Sequence, residues 1–419
     1  MKILIIRTYP DKLNLNAYNV QELGLAGALR RAGHECDIVF YNGFHPTTVE
    51  EREDGIRLYW VKSLNVAKNG VFFGLRKIAE QYDVLQVHEY DQLMSWLIYT
   101  FYRRKPVVLY HGPYYDSFNR GYNAKCAVFD KLFLPFSRRA QKAMYCMTKS
   151  PQAEEFLHGK GFGKVQTVGV GLAERRFDSA PSDTHSGVTA DMPADSSGIR
   201  VCTTADHSAK DAGAQAARSD IGVREPAEEK GMVFHHILYV GKLEERRNSV
   251  FLLQVMKKLL EKRDDIFCTV IGNGEESYVN SLMPQMDLLK KGGRFQWIRK
   301  ASQDELAPLY REAEIMLFPS NYEIFGMVLL EAMYCGVVVI STENGGASCL
   351  IRNGENGLIE NSLDVHAWVS KAIALLEDKE RRNLMQKAAS DTIRNSFTWD
   401  RIADQFVKVY QESLSVDNN

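Results

Sequence analysis

Short apolar runs alternate with helix-like stretches through the first part of the chain. The stretch after the first run places Leu25 and Leu29 on one helical face and ends at Gly33. Six apolar runs predict strands, at Ile3–Ile6, Cys36–Tyr41, Val84–Val87, Val107–Tyr110, Met144–Met147 and Val165–Val168. Strands that are apolar throughout and alternate with helices are typical of a parallel sheet covered on both faces.

A second alternation of the same kind begins near residue 236. Its predicted strands are His236–Val240, Phe267–Ile271, Phe295–Ile298, Ile315–Phe318 and Val337–Ile340. Its predicted helices are Phe251–Leu260, Gly326–Met333, Asp364–Leu376, Glu380–Ser396 and Trp399–Leu414. The whole pattern predicts an α/β protein with two doubly wound, Rossmann-like domains that face each other across a cleft. Such sheets bind ligands at the carboxyl ends of their strands.

Residues 178–230 interrupt the alternation. Seven of them are V, I, L, M, F, W, Y or C, none is Phe, Tyr or Trp, and ten acidic residues outnumber five basic ones. Such a segment cannot bury enough apolar surface to offset its ordering entropy. We therefore expect a low-complexity, disordered or extended insert that acts as a passive linker between domains at 1–177 and 231–397.

The composition excludes some classes of protein. A formal net charge of −1 over 419 residues is not the basic field of a dedicated nucleic-acid binder. Seven singly scattered cysteines without a CxxC pair indicate reduced thiols in a cytoplasmic protein. The apolar run before Arg7 is too short for a signal peptide, and no run of about 18 apolar residues predicts a membrane span.

A basic loop follows the strand His236–Val240. Gly241 is followed by Lys242 and, five residues later, by Arg247, ahead of a predicted helix. A strand-to-helix turn offers backbone N–H groups and a positive helix end, and two cations there could clamp a diphosphate. A solvated basic helix start explains the same residues equally well. Of the neighbouring arginines, Arg246 is expected to be the exposed one.

Two glycines follow the strand Phe267–Ile271. Gly272 and Gly274 allow a ligand to approach the backbone closely. Ser277 stands where a GxGxxG motif would place its third glycine, so binding of a nicotinamide dinucleotide is poorly supported.

Glu323 and Glu331 have seven residues between them, a spacing that no other pair of glutamates in the chain shares. Glu323 follows the strand Ile315–Phe318, and Glu331 lies inside an apolar helix. A buried carboxylate needs hydrogen-bond donors, which the paired hydroxyls of a ligand would supply. A neighbouring arginine would serve as well, so a structural role for Glu331 stays open.

Together these motifs resemble the family-4 retaining glycosyltransferases of the GT-B fold. The resemblance covers nearly the whole chain outside the insert, and its combination of motifs is highly specific. It rests on Gly241-Lys-Leu243 with Arg247-Asn248, Ile271–Gly274, Ser320–Glu323 through Glu331-Ala-Met, Gly345-Gly346, Asn353–Leu358 and Phe397–Trp399. It implies two Rossmann-like domains, with a C-terminal helix at 398–414 that packs back on the N-terminal domain.

The resemblance also implies roles for matching positions. Lys242 and Arg247 correspond to the basic pair on the donor diphosphate, and Glu323 to the residue that orients the donor sugar. Glu331 corresponds to the residue that holds the nucleotide ribose. His111, after the strand Val107–Tyr110, corresponds to a histidine that reaches the sugar ring. The remaining expected donor contacts are backbone groups at Gly241, Gly272, Gly274, Ile324, Phe325 and Gly326.

Two positions depart from the family pattern. The first strand-to-helix loop, Tyr9–Tyr18, has none of the glycines that the family has there. Cys349 stands where the family has a glutamate after Gly345-Gly346. The departures put in doubt one donor contact and the part that the N-terminal domain plays in binding.

Residues 99–142 carry nine Lys or Arg against Asp116 and Asp130, interleaved with aromatic and aliphatic residues. A basic, aromatic-rich helix face is typical of attachment to an anionic membrane surface, where lipid-linked acceptors lie. An ordinary solvated helix is the alternative. The candidate membrane or acceptor-side residues are Arg103, Arg104, Lys131, Arg138 and Arg139.

The implied activity is transfer of a hexosyl unit from a UDP- or GDP-sugar to a glycan or lipid-linked glycan, in exopolysaccharide, capsule or O-antigen assembly. In this family the acceptor hydroxyl attacks from the side that the diphosphate leaves. The chain has no DxD-like pair in a plausible metal position, so we expect no metal, and no cofactor beyond the nucleotide sugar. The expected location is the cytoplasm or the inner face of the plasma membrane. A nucleotide-sugar 2-epimerase or a non-catalytic nucleotide-sugar-binding protein is an alternative.

Overall fold

The structure, a computed structural model, describes residues 1–10, 13, 15, 20–102, 104–178 and 234–416. Nearly all of the predicted insert at 178–230 therefore lies outside the described residues, as do Arg103 and most of the loop Tyr9–Tyr18.

In the N-terminal half, the described residues form ten strands and seven helices. The strands are β1 (Lys2–Ile6), β2 (Glu35–Tyr41), β3 (Thr48–Glu51), β4 (Arg57–Val61), β5 (Ser63–Val66), β6 (Asn69–Phe72), β7 (Val84–His88), β8 (Val107–His111), β9 (Tyr145–Thr148) and β10 (Lys164–Thr167). The helices are α1 (Gln21–Arg31), α2 (Leu75–Ala79), α3 (Leu93–Phe101), α4 (Arg120–Leu132), α5 (Arg138–Ala143), α6 (Pro151–Gly159) and α7 (Arg175–Asp178). A 3-10 turn at Leu134–Ser137 joins α4 to α5.

Eight of these strands form one sheet in the order β10-β9-β8-β7-β1-β2-β4-β3. All neighbours are parallel except the edge strand β3, which runs antiparallel to β4. The central strand β1 has no solvent-exposed surface from Ile3 to Ile6, because helices cover both faces of the sheet. Strands β5 and β6 form a separate antiparallel hairpin.

The C-terminal half repeats the plan. Its strands are β11 (His235–Val240), β12 (Ile266–Ile271), β13 (Phe295–Ile298), β14 (Ile315–Phe318), β15 (Val338–Ser341) and β16 (Leu358–Ile359), all parallel, in the order β13-β12-β11-β14-β15-β16. Its helices are α8 (Ser249–Lys262), α9 (Glu276–Lys291), α10 (Gln303–Glu312), α11 (Met327–Tyr334), α12 (Gly345–Leu350), α13 (Val365–Glu377), α14 (Lys379–Ser396) and α15 (Trp399–Val416). A 3-10 turn at Glu245–Arg247 precedes α8.

All eleven predicted strands are present, with bounds shifted by one residue at most. The prediction of two doubly wound parallel sheets is confirmed. The strands between residues 48 and 72 were not predicted. Of these, β3 is exposed along its whole length and so lacks an apolar pattern.

The last helix, α15, packs on the N-terminal half although it follows the C-terminal half in the chain, as predicted. Asp400 accepts two hydrogen bonds from the Arg31 guanidinium of α1, at 2.6 and 3.0 Å. The Tyr410 hydroxyl donates to Gln86 of β7. A Cβ atom at Gly24 would lie 2.1 Å from the Trp399 indole nitrogen, so only glycine admits this close approach.

Within the described part of the chain, no helix combines the length and the apolar content that crossing a bilayer requires.

Candidate active site

A cavity of about 420 Å³ lies between the two halves. It is reached by the loops that follow β9 in the N-terminal sheet and β11 and β14 in the C-terminal sheet, at the carboxyl ends of those strands. Its lining residues are Gln21, Phe118, Asn119 and Lys149 from the N-terminal half and Arg246, Tyr322, Glu323, Ile324, Phe325, Gly326 and Met327 from the C-terminal half.

An ion pair between Arg247 and Glu323 lies beside this cavity. The Arg247 Nη2 atom is 2.8 Å from Glu323 Oε1, and both side chains are nearly buried. The Ser320 hydroxyl donates to the same carboxylate oxygen at 3.0 Å. Burial alone lowers the pKa of Arg247, but Glu323, Tyr239 and Glu244 together outweigh it, so that pKa is raised. Burial raises the pKa of Glu323, and its arginine neighbours oppose that shift.

Arg246 also enters the site, although the sequence indicated an exposed side chain. It is half-buried, with Nη1 donating to the Tyr322 carbonyl oxygen at 2.6 Å and lying 3.8 Å from Glu323 Oε1. Its Nη2 atom is 2.6 Å from Glu244 Oε1. Two guanidinium groups therefore converge on Glu323 at the edge of the cavity.

Lys242 is exposed and does not line the cavity. The Tyr239 hydroxyl donates to its backbone carbonyl oxygen at 2.8 Å, which fixes the turn but leaves the side chain free to move. Its contact with a donor diphosphate stays a prediction.

The loop 323–326 is held in place by close backbone packing. Gly326 has φ of 73°, a left-handed conformation that glycine adopts without strain, and it begins α11. A Cβ atom at Gly346 would lie 1.9 Å from the Phe325 carbonyl oxygen, and one at Gly345 would lie 2.4 Å from that of Glu323. The first N–H groups of a helix have no partner within the helix, so they suit an anionic ligand in the adjoining cavity.

The glycines after β11 and β12 have a packing function of their own. A Cβ atom at Gly272 would lie 1.8 Å from the Gly241 carbonyl oxygen, and one at Gly274 would lie 1.9 Å from that of Leu243. The two loops thus touch backbone to backbone. This packing explains the glycines without a ligand, and the donor contact predicted for Gly241, Gly272 and Gly274 stays a prediction.

Glu331 is fully buried in α11. The Gln303 amide donates to its Oε1 atom and the Tyr310 hydroxyl donates to its Oε2 atom, each at 3.1 Å. Both partners come from α10, and a capping box formed by Ser302 and Glu305 begins that helix. The predicted contact of Glu331 with the nucleotide ribose stays a prediction.

A second cavity of about 430 Å³ adjoins the first, and the two share Met327. Gln303, a partner of Glu331, lines it together with Gly24 of α1 and Trp399 of α15. The first cavity therefore lies beside the Arg247–Glu323 ion pair, and the second lies beside Gln303, which is bonded to Glu331.

His111 lies behind the wall of the first cavity and is fully buried. Its Nδ1 atom is 2.5 Å from Glu89 Oε2, and its ring stacks on Phe156 with centroids 5.5 Å apart. Burial opposes ionisation of Glu89, but His111 and Lys149 lower the pKa of that carboxyl to about 2. The His111 carbonyl oxygen accepts from the amide of Lys149, which lines the cavity.

Glu89, Asp91 and His111 also form one group of side chains of the types that bind metal ions. Among the described residues, one ligand atom from each lies within 4.8 Å of the others. The Lys125 ammonium is 2.8 Å from Asp91 Oδ2, so a cation of the protein already balances that carboxylate.

Residues 227–392 match the model of a protein family described as glycosyl transferases group 1. The match supports a place in the glycosyltransferase group 1 family. It covers the loops that carry Lys242, Arg247 and Glu323 and the helix that carries Glu331.

Curated relatives resemble part of the chain. The D-inositol 3-phosphate glycosyltransferase of Salinispora tropica is 28% identical over 194 residues, which are 45% of this chain and 39% of that protein. An uncharacterized glycosyltransferase of Methanocaldococcus jannaschii is 30% identical over 43% of this chain and 45% of its own length. The N-acetyl-alpha-D-glucosaminyl L-malate synthase of Bacillus anthracis is 36% identical over 28% of this chain and 31% of its own length. The chain thus spans less than half the length of these relatives.

Solved structures resemble the whole fold. Sucrose-phosphate synthase from Thermosynechococcus elongatus matches 99% of this chain and 100% of its own, with a TM-score of 0.68 and 16% identity. The Anabaena protein HepE in complex with UDP-glucose matches 98% of this chain and 100% of its own, with a TM-score of 0.65 and 16% identity. The fold is GT-B, as the sequence predicted.

Several side chains of the site were not predicted. Lys149 and Tyr114 lie in the N-terminal half at positions that no local motif marks, and Gln303 and Tyr310 surround Glu331 from a separate helix. The Ser-x-x-Glu pattern of a capping box marks the start of the helix that carries Gln303. That pattern predicts the helix but does not indicate that Gln303 meets Glu331.

Proposed function

We propose that this chain is a retaining, metal-independent glycosyltransferase that moves a hexosyl unit from a UDP- or GDP-sugar to a glycan or lipid-linked glycan. The observation that carries the proposal is the pair of guanidinium groups, Arg246 and Arg247, that converge on Glu323 at the cavity between the two halves. Support for the donor comes from the group 1 family match and from the UDP-glucose complex of the Anabaena protein.

The donor diphosphate is proposed to lie at the N-terminus of α11, near Ile324, Phe325 and Gly326. Backbone N–H groups there and the arginines nearby stabilise the charge that develops as the sugar–phosphate bond breaks. Lys242 is long and free enough to reach the same anion after the donor binds. Glu323, fixed by Arg247 and Ser320, is left to orient the sugar hydroxyls.

The proposed course is front-face displacement. The acceptor hydroxyl attacks the anomeric carbon from the side that the diphosphate leaves, and a departing phosphate oxygen accepts its proton. Lys149 gives the N-terminal wall of the cavity its cation, and His111 lies behind it, with its carbonyl oxygen bonded to the Lys149 amide. Closure of the halves removes water from this step, which strengthens each charge interaction.

The acceptor is proposed to be a glycan or a lipid-linked glycan, as in exopolysaccharide, capsule or O-antigen assembly. The names of two relatives instead refer to small anionic acceptors, D-inositol 3-phosphate and L-malate. A donor and acceptor screen should therefore include such acceptors. The family match and the Lys242, Arg247, Glu323 and Glu331 set favour transfer over 2-epimerisation or binding without turnover.

The decisive experiment combines UDP- and GDP-sugars with the purified chain, with and without EDTA, and determines the anomeric configuration of the product by NMR. We expect release of the nucleoside diphosphate, retention of configuration and no loss of rate with EDTA. An inverted product or a rate restored only by added metal would contradict the mechanism. Binding without turnover of any sugar would contradict the enzyme proposal itself.

The acceptor side is proposed to face an anionic membrane. The end of α4 and the turn after it expose Val128, Leu132 and Phe136, with side chains 60%, 55% and 72% accessible. Lys131, Arg138 and Arg139 are exposed beside them. Apolar side chains within a basic rim favour adsorption to a membrane that carries anionic lipids. Arg104 is less free, because it pairs with Glu80 at 3.0 Å.

Co-sedimentation with vesicles of phosphatidylcholine and phosphatidylglycerol tests this surface. We expect binding that falls as salt rises and that Phe136→Ser weakens. Absence of binding at low salt would contradict the membrane proposal and leave the glycosyltransferase proposal intact.

A further inference from the structure

A third cavity, of about 310 Å³, lies at the opposite edge of the N-terminal sheet from the candidate active site. Val107 and Tyr145, the first residues of β8 and β9, line it, so it opens at the amino ends of these strands. The candidate active site lies at their carboxyl ends. A ligand in the third cavity would therefore not take part in sugar transfer directly.

Two residues that line this cavity, Thr100 and Tyr102, each carry a hydroxyl oxygen that is buried without a partner. Among the described residues, nothing is hydrogen-bonded to Thr100 Oγ1 or to Tyr102 Oη. Thr100 is buried, with an exposed fraction of 6%. An unpaired buried hydroxyl costs free energy, and a small side-chain movement that brings it to a ligand's acceptor oxygen would remove that cost.

The charge of the cavity is positive. Lys105 and Arg139 line it, and neither forms an ion pair within the part of the chain that the structure describes. Glu80 is the carboxylate whose negative charge acts on the Tyr102 hydroxyl. It already forms ion pairs with Arg76 and Arg104, each at 3.0 Å. Two free cations and two unpaired hydroxyl donors suit the oxygens of a phosphate group.

An apolar slot of about 270 Å³ adjoins this cavity, and the two share Tyr102. Side chains of α2 and α3 form its walls, among them Leu75, Leu97 and Phe101. Phe101 is 61% exposed at its mouth. A cationic, hydroxyl-bearing cavity beside an apolar slot matches a molecule with an anionic head and a hydrocarbon chain.

We propose that the third cavity and its slot bind one anionic phospholipid, with the phosphate between Lys105 and Arg139 and an acyl chain along Phe101. The inference deepens the membrane surface proposed above and rests on it, because Arg139 belongs to both. Charge complementarity and the neighbouring slot favour a phospholipid over a free phosphate, which would leave the slot empty. The bound lipid would fix the orientation of the N-terminal half on the membrane.

The test compares two adjacent arginines of equal charge. Arg139 lines the cavity, whereas Arg138 is exposed on the same surface and does not. Partitioning into phosphatidylcholine vesicles with phosphatidylglycerol should fall about tenfold more for Arg139→Ala than for Arg138→Ala, which is the loss of one charge-assisted hydrogen bond. Thr100→Val should also weaken partitioning, without lowering the melting temperature, because it removes an unpaired buried hydroxyl.

Each outcome decides the question. Equal losses for Arg138→Ala and Arg139→Ala would overturn the lipid site and leave the membrane surface in place. No partitioning by the unmodified chain would overturn both. Soluble glycerol phosphate that binds as tightly as the lipid, and that Thr100→Val and Arg139→Ala both weaken, would overturn the phospholipid in favour of a free phosphate ester. None of these measurements depends on sugar transfer.

Discussion

The Tyr114 hydroxyl of the N-terminal half donates a hydrogen bond to the Glu323 carbonyl oxygen of the C-terminal half, at 2.9 Å. The same oxygen of Tyr114 accepts from the Gly345 amide at 3.0 Å. The ring of Tyr114 lies 4.7 Å from that of Tyr322, centroid to centroid. One side chain therefore joins the two halves at the loop that carries Glu323.

We expect Tyr114→Phe to raise the KM for the donor about tenfold, because the loop at Glu323 loses its anchor to the N-terminal half. The lost hydrogen bonds cost about 1 kcal/mol each in the free energy of unfolding. Steady-state kinetics and urea unfolding measure both effects. Tyr115→Phe, at an exposed neighbouring position, is the control. Equal kinetics for both variants would show that this contact does not shape the donor site.

Arg247 and Lys242 should differ in their effects on stability. Arg247→Ala leaves the buried Glu323 without its closest cation, so we expect kcat to fall at least about a hundredfold and the melting temperature to fall as well. Lys242→Ala removes an exposed side chain, so we expect a higher donor KM with an unchanged melting temperature. An Arg247→Ala enzyme that turns over normally in EDTA would refute the assigned role of Arg247.

Glu331 is tested through the ribose. The unmodified chain should bind a nucleoside diphosphate more tightly than its 2′-deoxy form, whereas Glu331→Gln should bind both with similar affinity. Isothermal titration calorimetry gives the two ratios. Tyr310→Phe is a useful control, because it removes a partner of Glu331 and not the carboxylate. If the unmodified chain does not distinguish the two nucleotides, Glu331 is a structural residue.

Acid stability should depend on Glu22. Arg7 Nε lies 3.3 Å and His88 Nδ1 lies 3.4 Å from its Oε1 atom. Burial opposes ionisation, but these partners lower the pKa of Glu22 from 4.5 to about 2. A carboxyl with a lowered pKa stabilises the fold fully above its unfolded pKa, and the effect is lost as the pH falls toward 2.

Glu22 alone should therefore contribute up to about 3 kcal/mol that disappears between pH 4.5 and pH 2. Glu22→Gln should lower the free energy of unfolding at neutral pH and flatten its dependence on pH in this window. Urea unfolding at a series of pH values measures the slope. A variant with the same slope as the unmodified chain would show that Glu22 is not the titrating group.

The strands could be predicted closely because most are buried on both faces. Runs such as Ile3–Ile6 contain no polar residue, and this pattern locates a central parallel strand without further information. Thr48–Glu51 escaped prediction because all four of its residues are exposed, so pairing with β4 and not hydrophobicity defines that strand.

The site was predicted in part. Arg247 and Glu323 stand out locally, but the sequence does not show that they pair across 76 positions. Arg246 was expected to be exposed, because a short loop has no periodic pattern that would show which of its side chains are buried. Its position depends on a tertiary contact, in which the Asn321 amide donates to the Arg246 carbonyl oxygen at 3.0 Å. Tyr114 depends in the same way on how the two halves meet.

The packing of α15 on α1 has a consequence for the design of chimeras and for natural recombination. Trp399 and Tyr410 of α15 pack on the N-terminal half, although they come from the far end of the chain. The N-terminal half is therefore not one continuous stretch of sequence. A chimera that replaces the C-terminal half needs two junctions, near residues 234 and 398, and a single crossover would pair α15 with a foreign sheet. We expect natural recombinants to respect the same two points.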